Sequence, residues 1–262
     1  MESIALRPGN GAPAQPLATS FIQPDDGNAD DRTLMRVALP QQVGPGEVVR
    51  LEVAWTLKVP RPFQRVGVLG DYYLLGHWFP KVGVFGADGA WRAHQFIQTE
   101  FFADFGAYDV RLSVPTGWKV GATGTRDEPQ TNADGTVTHR FRAVDVHDFA
   151  WTTSPRFQVF TDRFEHPGLQ PVDIELMLLP DHTWLKERYL SSTKAALQCY
   201  GLWFRPYAWD RITVVDPPAD SNTGGMEYPM FVTGEARWLT SSVNRLTEAN
   251  TCLLYTSDAA DE

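Results

Sequence analysis

The chain has 262 residues and carries 23 Lys and Arg against 32 Asp and Glu, a net charge of −9 with 43% hydrophobic residues. That length allows two domains with substantial cores, and the acidic balance without any Lys/Arg run excludes a nucleic-acid partner. No stretch of about 18 apolar residues could span a bilayer as a helix, and the N-terminus lacks the basic and apolar regions of a signal peptide, so no compartment is assigned.

From Met1 to about Phe160 the apolar period is two, with turn residues every ten or so positions, which predicts short strands. Met35, Val37 and Leu39 alternate before Pro40. Val49, Leu51, Val53, Trp55 and Leu57 alternate with Arg50, Glu52, Ala54, Thr56 and Lys58, predicting a strand over 49–58 with one packed face. Tyr108, Val110, Leu112 and Val114 repeat the pattern before Pro115. Asp134-Gly135 lies between two such runs, where paired positive φ angles favour a tight hairpin. These strands read as a β-sandwich or a large curved sheet.

Near Phe164-Glu165-His166-Pro167-Gly168 the grammar changes, and the segment reads as a linker between residues 1–163 and 164–251. Ile174 to Leu179 predicts a strand, and Pro180-Asp181 opens a helix with Asp181 or Thr183 as N-cap. Leu185, Tyr189, Ala196, Cys199 and Trp203 form its apolar stripe, and Pro206 stops it. Arg211 to Val215 reads as a short buried strand, Pro217-Pro218 as a turn and Met226 to Thr233 as one further strand. A last helix begins near Ser241 or Ser242 and turns Val243, Leu246 and Ala249 inward.

Cys252 to Glu262 resembles a translated sequencing adapter more than protein, and is set aside as an artefact. Without Asp258, Asp261 and Glu262, 23 basic residues face 29 acidic ones, for a net charge of −6. Cys252 goes with that tail, which leaves Cys199 alone, a small buried apolar residue with no intrachain partner.

The histidines, His77, His94, His139, His147, His166 and His182, are too scattered for a local metal motif, and no H-E-x-x-H, H-x-H or zinc-spaced Cys pair occurs. Each is expected to be hydrogen-bonded within the fold. A G-x-S-x-G elbow and a phosphate loop ending in Lys-Ser/Thr are also missing. Gly224-Gly225-Met226-Glu227 is different. Two glycines at a strand start let another backbone come close, and a carboxylate two residues on can hold a cationic amine, such as the free N-terminus of a peptide. The same residues also suit a surface turn with a solvated Glu. Nine Trp and fifteen Phe fit either core packing or an aromatic binding face on the β-domain, with core packing the stronger reading.

Thr223-Gly224-Gly225-Met226-Glu227-Tyr228-Pro229 is similar to the exopeptidase motif of the membrane alanyl aminopeptidase family of zinc peptidases, in its bacterial Gly-Gly-Met-Glu-Tyr-Pro variant. Asp71-Tyr72-Tyr73 with Gly76-His77-Trp78-Phe79-Pro80-Lys81-Val82-Gly83-Val84, Glu100 to Gly106 with Tyr108-Asp109-Val110, and Val146 to Trp151 resemble successive landmarks of that family's N-terminal domain. The resemblance covers roughly residues 20 to 250. It implies a mainly β chain continuing into α+β: a saddle-like β-sandwich N-terminal domain, then the truncated start of a thermolysin-like catalytic domain. Trp78 and Trp151 are expected to pack at the domain interface.

The resemblance further implies a hydrolase that removes N-terminal residues from peptides, with zinc held by an H-E-x-x-H helix that this chain lacks. The chain is then expected to be inactive and to bind no zinc itself. Glu227 carries over as the anchor of the substrate α-ammonium, and Gly224, Gly225 and Met226 as backbone running antiparallel to the substrate. Gln95 or Glu100 is the candidate second amine anchor, and the two remain open. Tyr228 stands where the family usually has Asn, which leaves side-chain preference unassigned. A non-catalytic scaffold or protein-binding member of the same architecture is the alternative.

Overall fold

A computed structural model describes residues 1–9, 11–61, 65–96, 102–221 and 223–234. It is mainly β with several open sheets and one α-helix. The chain divides into two compact units, Met1–Lys58 with Phe79–Asp104, and Val59–Trp78 with Phe105–Glu262.

The first unit holds a three-stranded sheet in the order Gln15–Pro16, Ser3–Leu6, Leu51–Ala54, and two two-stranded ribbons, Thr19–Phe21 with Met35–Val37 and Val84–Phe85 with Trp91–Arg92. The strand expected over 49–58 is thus confined to four residues. Its intended inner face is not covered: Leu51, Trp55 and Leu57 are each more than a third exposed.

The second unit is layered. A four-stranded antiparallel sheet runs Lys119–Ala122, Trp151–Ser154, Tyr72–Leu75, Val66–Leu69. A five-stranded mixed sheet runs Gln158–His166, Leu169–Leu178, Arg211–Val215, Phe231–Thr233, Met226–Tyr228. Tyr72, Leu74, Ala150 and Phe157 meet Met177, Val215, Met226, Tyr228 and Phe231 in one core. Contact is so close that a Cβ on Gly121 would lie 3.2 Å from Thr213 Cγ2 and collide with Met177 Sδ. The other face of the five-stranded sheet buries Val172, Ile174, Leu176, Leu178, Ile212 and Val214 under the helix Lys186–Trp203 through Leu190 and Leu197. Successive strand residues serve opposite layers, which is why Ile212 to Val215 is buried throughout. A third sheet pairs Gly106–Pro115 with Thr136–Val146, whose other neighbours are Thr125–Arg126 and Gln130–Thr131.

Several expectations need correction. Pro167-Gly168 is not linker but the turn of a hairpin, and the strand Gln158–His166 passes straight through residue 163. Asp134-Gly135 does close a hairpin, yet of the two only Gly135 has positive φ; Asp134 instead accepts hydrogen bonds from Thr136 N at 3.0 Å and Thr136 Oγ1 at 2.7 Å. Pro180–Leu185 is a 3-10 turn, and neither Asp181 nor Thr183 caps the helix, which starts at Lys186. Of the expected stripe, Leu185 and Ala196 are buried and Tyr189 packs on the core, but Trp203 is 70% exposed and Cys199 only half-buried; the inward face is carried on by Leu190, Thr193, Leu197 and Gly201, at spacings of three and four. Met226–Thr233 is two strands joined by Pro229-Met230. The expected last helix lies outside the described residues.

Candidate functional site

Gly224 has φ +65°, left-handed backbone open to glycine at little cost, and among the described residues beyond its chain neighbours none stands within 4 Å of where its Cβ would be. The requirement is conformational. Met226–Tyr228 then forms the last strand of the five-stranded sheet, with Met226 opposite Thr233, Glu227 opposite Val232 and Tyr228 opposite Phe231. Among the described strands it is the outermost of that sheet. Met226 and Tyr228 point into the core shared with the four-stranded sheet, so period two sends Glu227 to the other face, where it is half-buried. Any part Met226 plays toward a ligand is main-chain. The Thr233 hydroxyl donates to the Gly224 carbonyl at 3.1 Å and ties the glycine turn to the neighbouring strand.

The hairpin turn is unusual. Pro229 followed by Met230 at φ 60° has the residue order of a type II turn with methionine where glycine is usual. The Met230 side chain is buried against Ala143 and Val146, and that packing holds the backbone in place.

Parts of the blocks singled out beside the glycine motif, Gly76–Trp78, Tyr108 and Asp148–Trp151, come together with Tyr228 within the second unit. A Cβ on Gly76 would stand 2.6 Å from the Arg65 carbonyl oxygen and 2.7 Å from Tyr228 Cζ, so only glycine lets the Tyr228 ring lie there. His77 meets that ring edge-on at 6.2 Å and places Nδ1 3.4 Å from the buried Asp148 carboxylate. Burial, with the Asp148 charge second, pushes the Tyr108 phenol up. Trp78 Nε1 donates to the Phe149 carbonyl at 2.9 Å and packs edge-on against Trp151; the two pair within one compact unit.

Gln95 is buried and engaged elsewhere. Its Oε1 accepts from Asp25 N and Asp26 N at 3.1 and 3.3 Å, and its Nε2 donates to Asp26 Oδ1 at 2.8 Å. It organises a loop of the first unit, whereas Glu227 belongs to the second. In that loop the hydrogen bond from His94, then that from Gln95 N, holds Asp25 below the usual carboxylate range. Glu100 lies outside the described residues.

A cluster that sequence reading missed lies on the helix side of the same sheet. Asp216, fully buried at the end of Arg211–Val215, bonds His182 Nδ1 through Oδ2 and accepts from the Tyr189 hydroxyl at 2.8 Å through Oδ1. The same hydroxyl reaches the carbonyl of Gly234. The bond to Asp216 raises the His182 imidazole above its ordinary value, against the opposing effect of burial. The available signal was a carboxylate immediately after the buried strand 211–215, where burial demands a partner.

No protein-family model matches the chain, and no curated protein matches it. Among the described residues no group of three His, Cys, Asp or Glu could hold a metal, and no helix is long and apolar enough to cross a membrane.

Proposed function

We propose that this chain is the substrate-anchoring part of a zinc-dependent aminopeptidase, combining a saddle-like β-domain with the beginning of a thermolysin-like domain. The observation that supports this most is the placement of Glu227 on the outermost described strand of a sheet, three residues after a left-handed glycine. An extended peptide pairs with the main chain of Gly224, Gly225 and Met226 as an added strand, and Glu227 takes its α-ammonium. The described residues do not fit zinc, so the role assigned to this chain is binding and orienting the peptide N-terminus. Gln95 has its polar atoms committed to a loop, which weakens it as a second anchor.

Titrating the chain with trialanine amide and with its N-acetylated form, followed by NMR shifts or calorimetry, tests this reading. The free amine should bind roughly ten- to a hundredfold more tightly than the acetylated peptide, the worth of one charge-assisted hydrogen bond. Glu227→Gln should erase that difference. Equal affinities in the unmutated chain, or a preference that survives the substitution, overturn the assignment.

A further inference from the structure

We propose that Thr125–Arg126 is an acid-released strap, closed along the third sheet while His139 is neutral and freed when the imidazole takes up a proton. The strand is two residues long, pairs with Phe141 and Arg142, and is followed by Asp127, whose N–H donates to the Arg140 carbonyl at 2.9 Å. One side chain ties it to the rest of the unit. Arg126 Nη2 donates to the Val120 carbonyl in the four-stranded sheet and to Glu175 Oε1 in the five-stranded sheet, the latter at 2.9 Å, and its guanidinium lies 5.2 Å from the centre of the Phe141 ring. Paired residues share a face, so Arg126 lies on the side of Phe141, and His139, two residues along that strand, is its diagonal neighbour.

The closed strap already holds polar atoms away from water without reward. His139 is buried, and neither of its ring nitrogens has a hydrogen-bond partner among the described residues; Arg126 Nε has none either. Such atoms favour any state in which water reaches them. A proton on His139 adds the much larger cost of a buried charge with no counter-ion of its own. Its surroundings make this worse: burial first, then the charges of Arg126 and Lys119, hold the imidazole below its ordinary value. Glu175, the carboxylate of the cluster, is bonded to Arg126. Leu112 stands opposite His139, while Gln130 and Thr131 stand opposite Thr138 and Val137, and none of these brings charge. Asp109, Asp127, Arg140 and Arg142 pair with one another on the other face. A protonated His139 therefore sets three cations against the Glu175 carboxylate, and the two-residue strand that carries one of them yields. The strap does not depend on the proposed function.

Native-state hydrogen exchange of the full chain at pH 7.5 and pH 5, corrected for intrinsic rates, reads the strap at the Asp127 amide. Its protection should fall by at least about threefold and at most about thirtyfold, the ceiling for one proton taken up at the ordinary value of 6.5. Amides of Gly106–Pro115 and Leu169–Leu178 should keep their protection. His139→Leu should hold the high protection at both pH values, and Arg126→Met should show the low protection at both. Exchange of the His139 ring C–H, followed by mass spectrometry, should titrate below 6.5. The strap is refuted if Asp127 shows no fall, if the fall survives His139→Leu, if Arg126→Met keeps the protection seen at pH 7.5, or if Leu169–Leu178 falls in parallel, which would mean that the whole unit loosens. Should His139→Leu fail to fold, His139→Gln, neutral across the range, takes its place; should Arg126→Met fail, the profiles of the unmutated chain and the His139 variant decide.

Discussion

Gly76→Ala tests the convergence of Gly76–Trp78 on Tyr228. The new methyl would meet two obstacles, and neither can move freely. The Arg65 carbonyl, 2.6 Å away, already accepts the Gly76 N–H at 2.8 Å, which fixes that pair of backbones. Tyr228 Cζ, 2.7 Å away, belongs to a ring packed among Tyr72, Phe157 and Phe231. Overpacking of this kind costs about 1–3 kcal/mol, and two obstacles argue for the upper half, about 2–3 kcal/mol. In a unit of this size that lowers Tm by roughly 4–10 °C. Urea and thermal melts of Gly76→Ala, Tyr228→Leu and the double variant give the coupling. With the ring gone, the alanine should cost about 1 kcal/mol less than in the unmutated chain, and the residue should come from the Arg65 carbonyl. If Gly76→Ala melts within about 0.5 kcal/mol of the unmutated chain, the ring does not sit against that glycine and the convergence is wrong.

Two histidines should bracket the pH of greatest stability. The folded value of His182 is raised above 6.5, so its contribution is full below 6.5 and disappears as pH rises through the folded value; that of His139 is lowered, chiefly by burial, so stability falls as pH drops below 6.5 and the unfolded chain takes the proton first. Urea midpoints at pH 5.5, 6.5 and 8.5 should peak at the middle value, His182→Asn should flatten the alkaline limb and His139→Leu the acidic one, and a midpoint rising steadily across the range would contradict both. Arg126 Nη2 bonds Glu175 Oε1 at 2.9 Å with Glu175 nearly buried, so Glu175→Ala should cost about 1–3 kcal/mol, less than the roughly 3–5 kcal/mol of a fully buried pair because Arg126 is partly exposed; a neutral result in denaturant melts would refute the pair. Met230→Gly relieves about 1 kcal/mol of left-handed backbone but removes a buried side chain worth about 2–3 kcal/mol, so it should destabilise by about 1–2 kcal/mol; a stabilised variant would mean that strain dominates. Removing Cys252 to Glu262 should leave stability within about 0.5 kcal/mol, and a larger loss by the same melts would mean that those residues pack.

Local pattern reached as far as local physics reaches. Gly106–Pro115 alternates because one of its faces is buried, and Arg211–Val215 carries Ile212, Val214 and Val215 on successive faces because both are covered, so each announces itself. Pro167-Gly168 carries the same turn chemistry in a linker as in a hairpin, and only the pairing of Phe164 with Val172 distinguishes them. Met226–Thr233 hid its turn because methionine occupies the left-handed position, a choice that depends on Ala143 and Val146 far away in the chain. The helix stripe was drawn through Trp203, whose size suggested burial, whereas Gly201 faces Leu169. The glycine turn and the strand start at Gly224–Met226 were legible because both are local. The Asp216 cluster was not, since 34 residues separate its acid from its imidazole.

The edge strand is only three residues long, and in a two-residue hairpin the residues flanking the turn spend their N–H and C=O groups on each other. An edge this brief cannot template the stacking of a second copy, which protects the sheet from amyloid-like growth. It also rations recognition: a guest gains very few backbone bonds here, so selectivity must come from the charge at its tip and from walls beyond the strand.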